Sequence, residues 1–204
     1  MSLYLYDDAR VKRIWKSRKA DVSLEFYHVD ETNTLRRAVS WVVDIVVVIS
    51  LAWFAAYGFG TQIRIAGQSM MPGLEGDDVV LMDRLTYDFT EPARFDVVVF
   101  QREDRKSNVK RVIGLPGEVV QIKDGFIYID GERLEADNGL DQAVLAGLAE
   151  NPVTLGEDEY FLLGDNRDGS EDSRFINIGN VKREQIQGKI WLRLLPLIHI
   201  GFVE

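Results

Sequence analysis

The stretch "AVSWVVDIVVVISLAWFAAYGF", residues 38–59, decides the organisation of this chain. As an α-helix it would span about 33 Å, close to the bilayer hydrocarbon thickness of about 30 Å. Asp44 is the one charged residue in it and lies in the second turn, where a carboxyl group reaches the lipid headgroups or is protonated. Trp41, Trp53 and Tyr57 are suited to the two interfacial zones. The stretch therefore predicts a transmembrane helix over 38–59.

Two other interpretations of this stretch are weaker. A core helix of a soluble protein is rarely apolar on all sides over such a length. A cleaved signal peptide has a shorter apolar region, and here a charged segment of 37 residues precedes the run. A membrane anchor explains the stretch best.

The charges on either side of the run predict its orientation. Residues 1–37 carry eight Lys and Arg against six Asp and Glu, and Arg36 and Arg37 immediately precede the run. Because cytoplasmic flanks are enriched in Lys and Arg, the N-terminus is expected in the cytoplasm. We predict a single-pass cell-membrane protein, with a cytoplasmic segment at 1–37, a transmembrane helix at 38–59 and an extracytoplasmic domain at 60–204.

The composition excludes several kinds of chemistry. The chain has no cysteine, so it has no thiolate nucleophile, no disulfide and no cysteine-based zinc site. His28 and His199 are its only histidines, too few for a zinc site built on several of them. A formal charge of -9 without a basic run argues against nucleic-acid binding. We therefore expect no metal, no cofactor and no nucleic-acid partner.

The region after the apolar run has the pattern of a mainly β domain. Segments rich in β-branched and aromatic residues recur at 79–82, 96–100, 118–122, 126–129, 160–163 and 188–194. Asp130-Gly131 is a strong signal for a hairpin turn. Residues 137–151 indicate a short helix or an irregular insertion. The fold class predicted is an antiparallel-sheet extracytoplasmic domain behind one transmembrane helix.

Ser69 is the first candidate nucleophile, in "AGQSMMPGLEGDD" (66–78). Its small neighbours, Gly67 and Gly73, would let a substrate carbonyl approach backbone N–H groups, as an oxyanion hole requires. Taken alone, however, this stretch favours a polar residue in a turn. The decision on Ser69 depends on whether the chain supplies a base.

Ser107 is a weaker candidate, although "SNVK" (107–110) matches the S-x-x-K pattern of penicillin-binding enzymes. In those enzymes the pattern lies on a helix, which brings serine and lysine to one face. Here Lys110 leads into a predicted strand, and the companion K-T-G and S-D-N elements are missing. We interpret this match as coincidence.

Ser170 lies in the acid-rich segment "LLGDNRDGSEDSRF" (162–175). The segment fails the EF-hand pattern, because Arg167 occupies the third position counted from Asp165. Alternating acids and arginines indicate an internal ion-pair network that fixes the shape of a loop.

Lys110 is the candidate base that remains. A serine nucleophile needs a base, but His28 is predicted on the opposite side of the membrane and His199 lies in an apolar terminal segment. The apolar neighbours of Lys110 in "NVKRVIGLPGE" would bury it, and burial lowers the pKa of a lysine. Spacing alone does not distinguish this situation from a solvated lysine on a strand.

Four motifs occur in order behind the predicted anchor. They are "GQSMMPGL" (67–74), "EGDDVVLMDRLTY" with "EPARFDVVVF" (75–87 and 91–100), "VKRVIGLPGE" (109–118) and "LLGDNRDGSEDSRF" (162–175). Together they make the chain resemble the bacterial type I signal peptidases that have a single N-terminal span. The resemblance extends from the membrane segment to the C-terminus.

The resemblance implies roles for individual residues. Ser69 matches the nucleophile of the family, Lys110 its general base, and Ser170 the hydroxyl that orients the lysine. Supporting residues are the ion pair Asp172 and Arg174, with Asp165 and Arg167. Gly67, Gln68, Met70, Met71 and Pro72 are assigned to the oxyanion site and substrate groove.

The resemblance also implies an activity and partners. Type I signal peptidases have a mostly β domain that leans an apolar surface on the outer leaflet of the membrane. They cut secreted preproteins after small residues in an Ala-x-Ala-like pattern, through an acyl-enzyme and without a cofactor. The implied partners are preprotein signal peptides and the lipid bilayer. We predict that Met70, Met71, Pro72 and Leu74 line the lipid-facing apolar edge and the entrance to the groove.

The chain departs from the family pattern at two positions. Some members have a serine two residues before the nucleophile, whose hydroxyl helps to bind the oxyanion, and here Gly67 stands there. Backbone N–H groups, chiefly that of Ser69, or water must then do more of this work. Phe95 stands where the family often has glycine, which alters a turn without touching the chemistry. Residues 1–37 have no assigned role.

Three other functions remain as alternatives. A self-cleaving Ser-Lys peptidase of the SOS-repressor kind would need a DNA-binding module, and the sequence contains none. A membrane-anchored binding module with an inactive site would not need both Ser69 and Lys110. A specialised peptidase with few substrates is indistinguishable by sequence from a general one.

Overall fold

The computed structural model describes residues 30–102, 105–135 and 142–203. The chain divides into two compact units, one ending at Trp53 and the other beginning at Phe54. His28 and most of the predicted cytoplasmic segment lie outside the described residues.

Most of α1, a helix over Asp30–Phe59, lies in the first unit, and its last residues, from Phe54 onward, belong to the second. Its part Thr34–Phe59 is long and apolar enough to cross a membrane; its apolar 18-residue stretch has a mean hydropathy of 2.2, and no residue of that stretch is buried within the protein. The helix begins eight residues before the predicted start at Ala38. Hydropathy marks the apolar part of a helix, whereas the backbone hydrogen bonds continue into the polar residues that precede it.

The second unit is built from two antiparallel sheets. The strands are β1 Thr61–Arg64, β2 Val79–Asp83, β3 Val97–Gln101, β4 Ser107–Gly114, β5 Val119–Lys123, β6 Phe126–Ile129, β7 Glu132–Arg133, β8 Val153–Thr154, β9 Glu159–Leu163, β10 Val181–Lys182, β11 Ile186–Leu195 and β12 Gly201–Phe202. The larger sheet has the order β1-β2-β11-β3-β4-β9-β10, with β12 paired to β11, and the smaller has the order β7-β6-β5-β8. The short helices are α2 Thr86–Phe89 and the 3-10 turns Gly147–Glu150, Arg183–Gln185 and Leu197–His199. The predicted mainly β, antiparallel fold is confirmed, and each of the six predicted segments corresponds to a strand, although Asp96 and Glu118 lie just before theirs.

The larger sheet is covered on both faces, and β3 shows why. Val97 and Val99 pack into a cluster with Val80 and Ile190, whereas Val98 and Phe100 belong to a second cluster on the other face. Successive side chains of a strand point to opposite faces, so a strand buried on both sides is apolar at every position. A third cluster joins the end of β4 to the smaller sheet.

The turn at Asp130-Gly131 has the predicted form, and the turn at Phe95 contains a residue with an unusual backbone conformation. Asp130 and Gly131 have φ values of 52° and 85°, as a two-residue hairpin turn between β6 and β7 requires. Phe95 also has a positive φ, 72°, a conformation in which glycine is unstrained, and its side chain packs against the third cluster. The part of 137–151 that the structure describes is irregular and ends in the turn Gly147–Glu150, as predicted.

The prediction for Met70 and Leu74 is wrong. Both are 1% exposed and belong to the cluster with Val80 and Ile190, so neither faces lipid or a groove. The N–H of Leu74 donates to Met70 O at 2.8 Å, which closes a turn that directs both side chains to the sheet. Met71 is half-buried and Pro72 is exposed, so the lipid-facing prediction stays open for these two.

Candidate active site

Ser69 and Lys110 meet although they are 41 residues apart. Ser69 lies in the serine loop, residues 65–78, which joins β1 to β2, and Lys110 lies in the middle of β4. Lys110 Nζ donates a hydrogen bond to Ser69 Oγ at 2.8 Å. The strand β4 is paired on both sides, with β3 and with β9, and the side chain of Lys110 is buried, so that the residue is only 4% exposed.

Burial changes the proton affinity of Lys110. Desolvation lowers its pKa from 10.5 to about 8; the charges of Asp172, Glu171 and Asp165 oppose this shift, and that of Arg102 adds to it. A neutral amine at hydrogen-bonding distance from a serine hydroxyl is able to accept its proton.

Ser107 has no part in this arrangement. It is exposed at the start of β4, and its Oγ donates to Gln187 Oε1 at 3.3 Å. Residues three apart on a strand point to opposite faces, so Ser107 and Lys110 do not meet as they would on a helix.

Asp172 and Arg174 stabilise the acidic loop, residues 164–175. Arg174 Nε and Nη2 donate to the two carboxylate oxygens of Asp172 at 2.8 and 2.9 Å, and both side chains are fully buried. Asp172 also accepts from Gly164 N at 3.1 Å, and Arg174 Nη1 donates to Leu145 O at 2.9 Å. The pair therefore fixes the loop internally and fastens it to the segment 142–150.

Asp165 forms a second buried ion pair, and this one includes a residue that the sequence did not identify. Arg111 Nε and Nη2 donate to the two oxygens of Asp165 at 2.8 Å each, and Arg111 Nη1 donates to Phe95 O at 2.9 Å. Because Arg111 directly follows Lys110, the pair ties the strand that carries the lysine to the acidic loop. An arginine within an apolar strand was the available signal, since a buried charge needs a partner. Arg167 is also buried in the acidic loop, at 1% exposure.

Ser170 lies beside the serine loop, but its hydroxyl is not bonded to Lys110. It is 5% exposed, and its Oγ has no hydrogen-bond partner among the residues that the structure describes. A Cβ added to Gly164 would overlap both Ser170 Oγ and Ser69 O, so the three residues are in close contact. Its orienting role toward the lysine stays a prediction.

The outer side of the serine loop is open to solvent. In the segment around Ser69, Gly67, Gln68 and Pro72 are exposed and Met71 is half-buried. Gly67 has a φ of 89°, which suits glycine, and a Cβ there would meet nothing within 4 Å. Among the described residues the Ser69 N–H donates no hydrogen bond. It is therefore available to an acceptor that a bound molecule supplies.

His199 is placed away from any catalytic arrangement. It lies on the exposed turn Leu197–His199, and the hydrogen bonds it makes are through its backbone, as donor to Pro196 O and as acceptor from Arg193 Nε. In the ranges that the structure describes, no group of three or more His, Cys, Asp or Glu is placed to hold a metal ion.

A protein-family model described as "Signal peptidase, peptidase S26" matches residues 38–195. The chain belongs to the signal peptidase family. The match includes the apolar part of α1 and the strands up to β11, so it covers both the candidate anchor and the site.

Relatives of this family are similar over most of their length. A signal peptidase I of Bacillus caldolyticus is 35% identical over 173 residues, which are 79% of this chain and 92% of its own. A probable signal peptidase I-2 of Synechocystis is 30% identical over 85% of this chain and 78% of its own. A crystal structure of a signal peptidase I from Enterococcus faecalis has 32% identity and a TM-score of 0.42, over 49% of this chain and 97% of that one.

Membership of the signal peptidase family establishes the general activity. The chain is a peptidase that removes signal peptides from preproteins, and its N-terminal apolar helix accords with a membrane-anchored family.

Two more residues of the signal peptidase site, Asp78 and Asn166, were not predicted from the sequence. Asp78 is 2% exposed and accepts from Glu75 N and Arg193 Nη1, so it closes the serine loop onto β11. Asn166 donates two hydrogen bonds to the backbone around Ser69. Both lie inside motifs quoted above, but Arg193 and the carbonyls around Ser69, which they meet, are distant in sequence and left no local signal.

Proposed function

We propose that the chain is a membrane-anchored serine endopeptidase with Ser69 as nucleophile and Lys110 as general base. The observation that carries the proposal is the 2.8 Å hydrogen bond between Lys110 Nζ and Ser69 Oγ, formed by a lysine that is 4% exposed. Burial holds the pKa of Lys110 near 8, so a useful fraction of the lysine is neutral close to physiological pH.

The proposed reaction is acyl transfer in two steps. Neutral Lys110 accepts the proton of Ser69 Oγ while this oxygen attacks the scissile carbonyl and forms the tetrahedral intermediate. Lys110 then gives the proton to the leaving amine, the C–N bond breaks, and an acyl-enzyme remains on Ser69. In the second step Lys110 accepts a proton from water as this water attacks the ester. Lys110 then returns the proton to Ser69 Oγ while the ester C–O bond breaks, which releases the new carboxyl end and restores both side chains.

The oxyanion is stabilised by backbone N–H groups near Ser69. The Ser69 N–H is not engaged within the described residues, and Gly67 offers no side-chain donor. The supporting residues belong to the acidic loop and are Ser170, Asp172, Arg174, Asp165 and Arg167. Their burial in the acidic loop keeps the loop in one shape against the serine loop.

The signal peptide binds in extended form as an added strand, with shallow pockets that accept only small side chains in an Ala-x-Ala-like pattern. β1 lies at the edge of the larger sheet and leads directly into the serine loop, which supports strand addition on this side. Gly67, Gln68, Met71 and Pro72 then border the groove.

The chain is proposed to cross the cell membrane once, with residues 1–37 in the cytoplasm, 38–59 in the bilayer and 60–204 outside. Arg36 and Arg37 support this orientation, since they immediately precede the apolar run 38–59. Secreted preproteins present their cleavage sites outside the membrane, which is the side on which this orientation places the catalytic domain.

The test is cleavage of a preprotein by the full chain reconstituted in lipid vesicles, comparing Ser69→Ala and Lys110→Met with the parent. We expect each variant to lose at least about 10³-fold in rate, because neither half of the pair functions alone. Ser107→Ala and Lys123→Met serve as controls, since both residues are exposed. If Ser69→Ala or Lys110→Met is folded and cleaves at a near-normal rate, the proposed pair is wrong.

A further inference from the structure

Asn166 bonds to the backbone on both sides of Ser69. Its side-chain Nδ2 donates to Gln68 O at 3.1 Å, and its backbone N donates to Ser69 O at 3.2 Å. Its Oδ1 accepts from Gly169 N at 2.9 Å. Since Gly169 supplies an N–H and Gln68 a carbonyl, the two ends of the amide are assigned without ambiguity.

The two bonded carbonyls belong to the two peptide groups that flank the Cα of Ser69. In a trans peptide the N–H points opposite to the C=O, so fixing Gln68 O toward Asn166 directs the Ser69 N–H away from the acidic loop. That N–H donates to no other described residue. Fixing Ser69 O in the same way leaves the serine backbone little freedom to rotate.

Gly169 completes the arrangement from the opposite side of the amide. A Cβ added to Gly169 would lie 2.6 Å from Asn166 Nδ2 and 2.9 Å from its Cγ. The absence of a side chain at Gly169 therefore allows the amide of Asn166 to take the orientation that reaches Gln68 O.

We propose that Asn166 is a positioning residue for acyl transfer, which fixes both peptide groups of Ser69 so that its N–H faces the developing oxyanion. The inference rests on the proposed function of Ser69 and Lys110. In this chain the demand on the Ser69 N–H is high, because Gly67 supplies no hydroxyl to share the oxyanion. Asn166 touches neither substrate nor the reacting atoms and acts through the backbone of the serine loop.

The experiment measures kcat and KM for preprotein cleavage by the full chain in lipid vesicles, for the parent, Asn166→Ala, Asn166→Asp and Gly169→Ala. We expect kcat to fall about 10- to 100-fold in the two Asn166 variants, with KM within about threefold of the parent, since a misdirected donor weakens only the transition state. Gly169→Ala should lower kcat in the same way, because its Cβ displaces the Asn166 amide without removing it. The pH of half-maximal kcat/KM should not move, because Lys110 is untouched.

Matched controls separate this effect from general disturbance. Asn180→Ala removes another asparagine with one side-chain bond, to Glu159, and Gly201→Ala adds a Cβ where nothing lies within 4 Å. Both should keep the parent kcat. Thermal unfolding of each variant in the same vesicles identifies any that is not folded, in which case the other Asn166 variant and Gly169→Ala decide.

The outcomes distinguish this inference from the function on which it rests. A folded Asn166→Ala with kcat within about twofold of the parent overturns the inference, as does a rise in KM at constant kcat. If the parent does not cleave, or if Ser69→Ala retains activity, the proposed function fails and the inference with it. Lower kcat in Asn166 and Gly169 variants, at constant KM and constant pH dependence, supports it.

Discussion

At the scale of single residues, Lys110 determines how the activity depends on pH. Burial lowers its pKa to about 8, and only the neutral amine accepts the Ser69 proton. We therefore expect kcat/KM to rise about tenfold per pH unit below about 8 and to level off above it. The measurement is kcat/KM for preprotein cleavage between pH 6 and about 10. If kcat/KM still rises about tenfold per unit near pH ~10, the base is not an amine whose pKa burial has lowered to about 8.

Two charges outside the buried pairs allow a control on that midpoint. Glu171 accepts from Arg102 Nη1 at 3.0 Å, and their charges act on the pKa of Lys110 in opposite directions, alongside those of Asp172 and Asp165. Glu171→Gln should move the midpoint down and Arg102→Gln should move it up, each by about 0.2–0.5 pH unit because the pair is partly exposed. Both shifts should shrink in high salt. Shifts of the same sign would assign the midpoint to another group.

Lys110 also lowers the stability of the folded protein. Its folded pKa of about 8 lies below the ordinary value of 10.5, so between these values the unfolded chain binds more protons and stability rises with pH. Below about pH 8 the full cost is present. Lys110→Met should therefore raise the free energy of unfolding by about 1–3 kcal/mol at pH 7. The advantage should vanish as the pH approaches 10.5.

Thermal unfolding of parent and variant in the same lipid, at pH 7 and above pH 10, measures this difference. Lys123→Met is the matched control, because Lys123 is exposed and its loss should not alter stability in this way. A Lys110→Met variant that melts below the parent at pH 7 would contradict the cost assigned to burying the amine.

Single residues of the site differ in how far the sequence reveals them. Ser69 and Lys110 are identified by motifs in a fixed order, and the geometry brings them together. Arg111 and Asn166 lie inside the same motifs, yet their partners, Asp165 and the carbonyls around Ser69, belong to other elements. A sequence shows that a polar residue is present but not which distant group it meets on folding.

At the scale of elements, the acidic loop and the serine loop pack so closely that one methyl group between them should strongly lower activity. A Cβ on Gly164 would overlap Ser170 Oγ and Ser69 O. We expect Gly164→Ala to lower kcat by at least about 100-fold, because the backbone of Ser69 must shift relative to Lys110. The measurement is kcat of preprotein cleavage together with thermal unfolding.

Gly156→Ala is the control for Gly164→Ala. A Cβ at Gly156 meets Glu159 at 3.4 Å, an ordinary contact, so activity should be retained. A Gly164→Ala variant with a parent-like kcat would show that this contact does not fix the position of the serine loop relative to the acidic loop.

Elements were predicted well where one residue pattern determines them. The strands follow from runs of β-branched residues, and the hairpin follows from Asp130-Gly131. Met70 and Leu74 were misplaced because their direction depends on a hydrogen bond across the turn, from Leu74 N to Met70 O. The presence of apolar residues beside a proline and a glycine does not indicate whether their side chains face the core or the solvent.

At the scale of the whole molecule, the apolar surface that the signal peptidase resemblance leads us to expect must be sought elsewhere than at Met70 and Leu74. The second unit exposes large apolar side chains at its C-terminal end, around the turn Leu197–His199 and β12. These are Leu197 at 73%, Ile198 at 85%, Ile200 at 57% and Phe202 at 77%. A protein with a candidate membrane span lies close to a bilayer, and contact with that bilayer covers such an apolar surface.

We expect the double variant Leu197→Asp, Ile198→Asp to cleave a preprotein in lipid vesicles at least about fivefold more slowly than the parent, because two carboxylates oppose contact with the bilayer. Cleavage of a short soluble peptide in detergent should be unchanged, since both side chains are exposed and contribute nothing to the core. Phe89→Asp, at an 86% exposed position on α2, is the control and should affect neither assay.

Met71→Asp tests the half-buried methionine of the serine loop in the same two assays. If the double variant matches the parent in vesicles while Met71→Asp does not, the contact with lipid lies at the serine loop and the C-terminal surface is bare in the membrane as well.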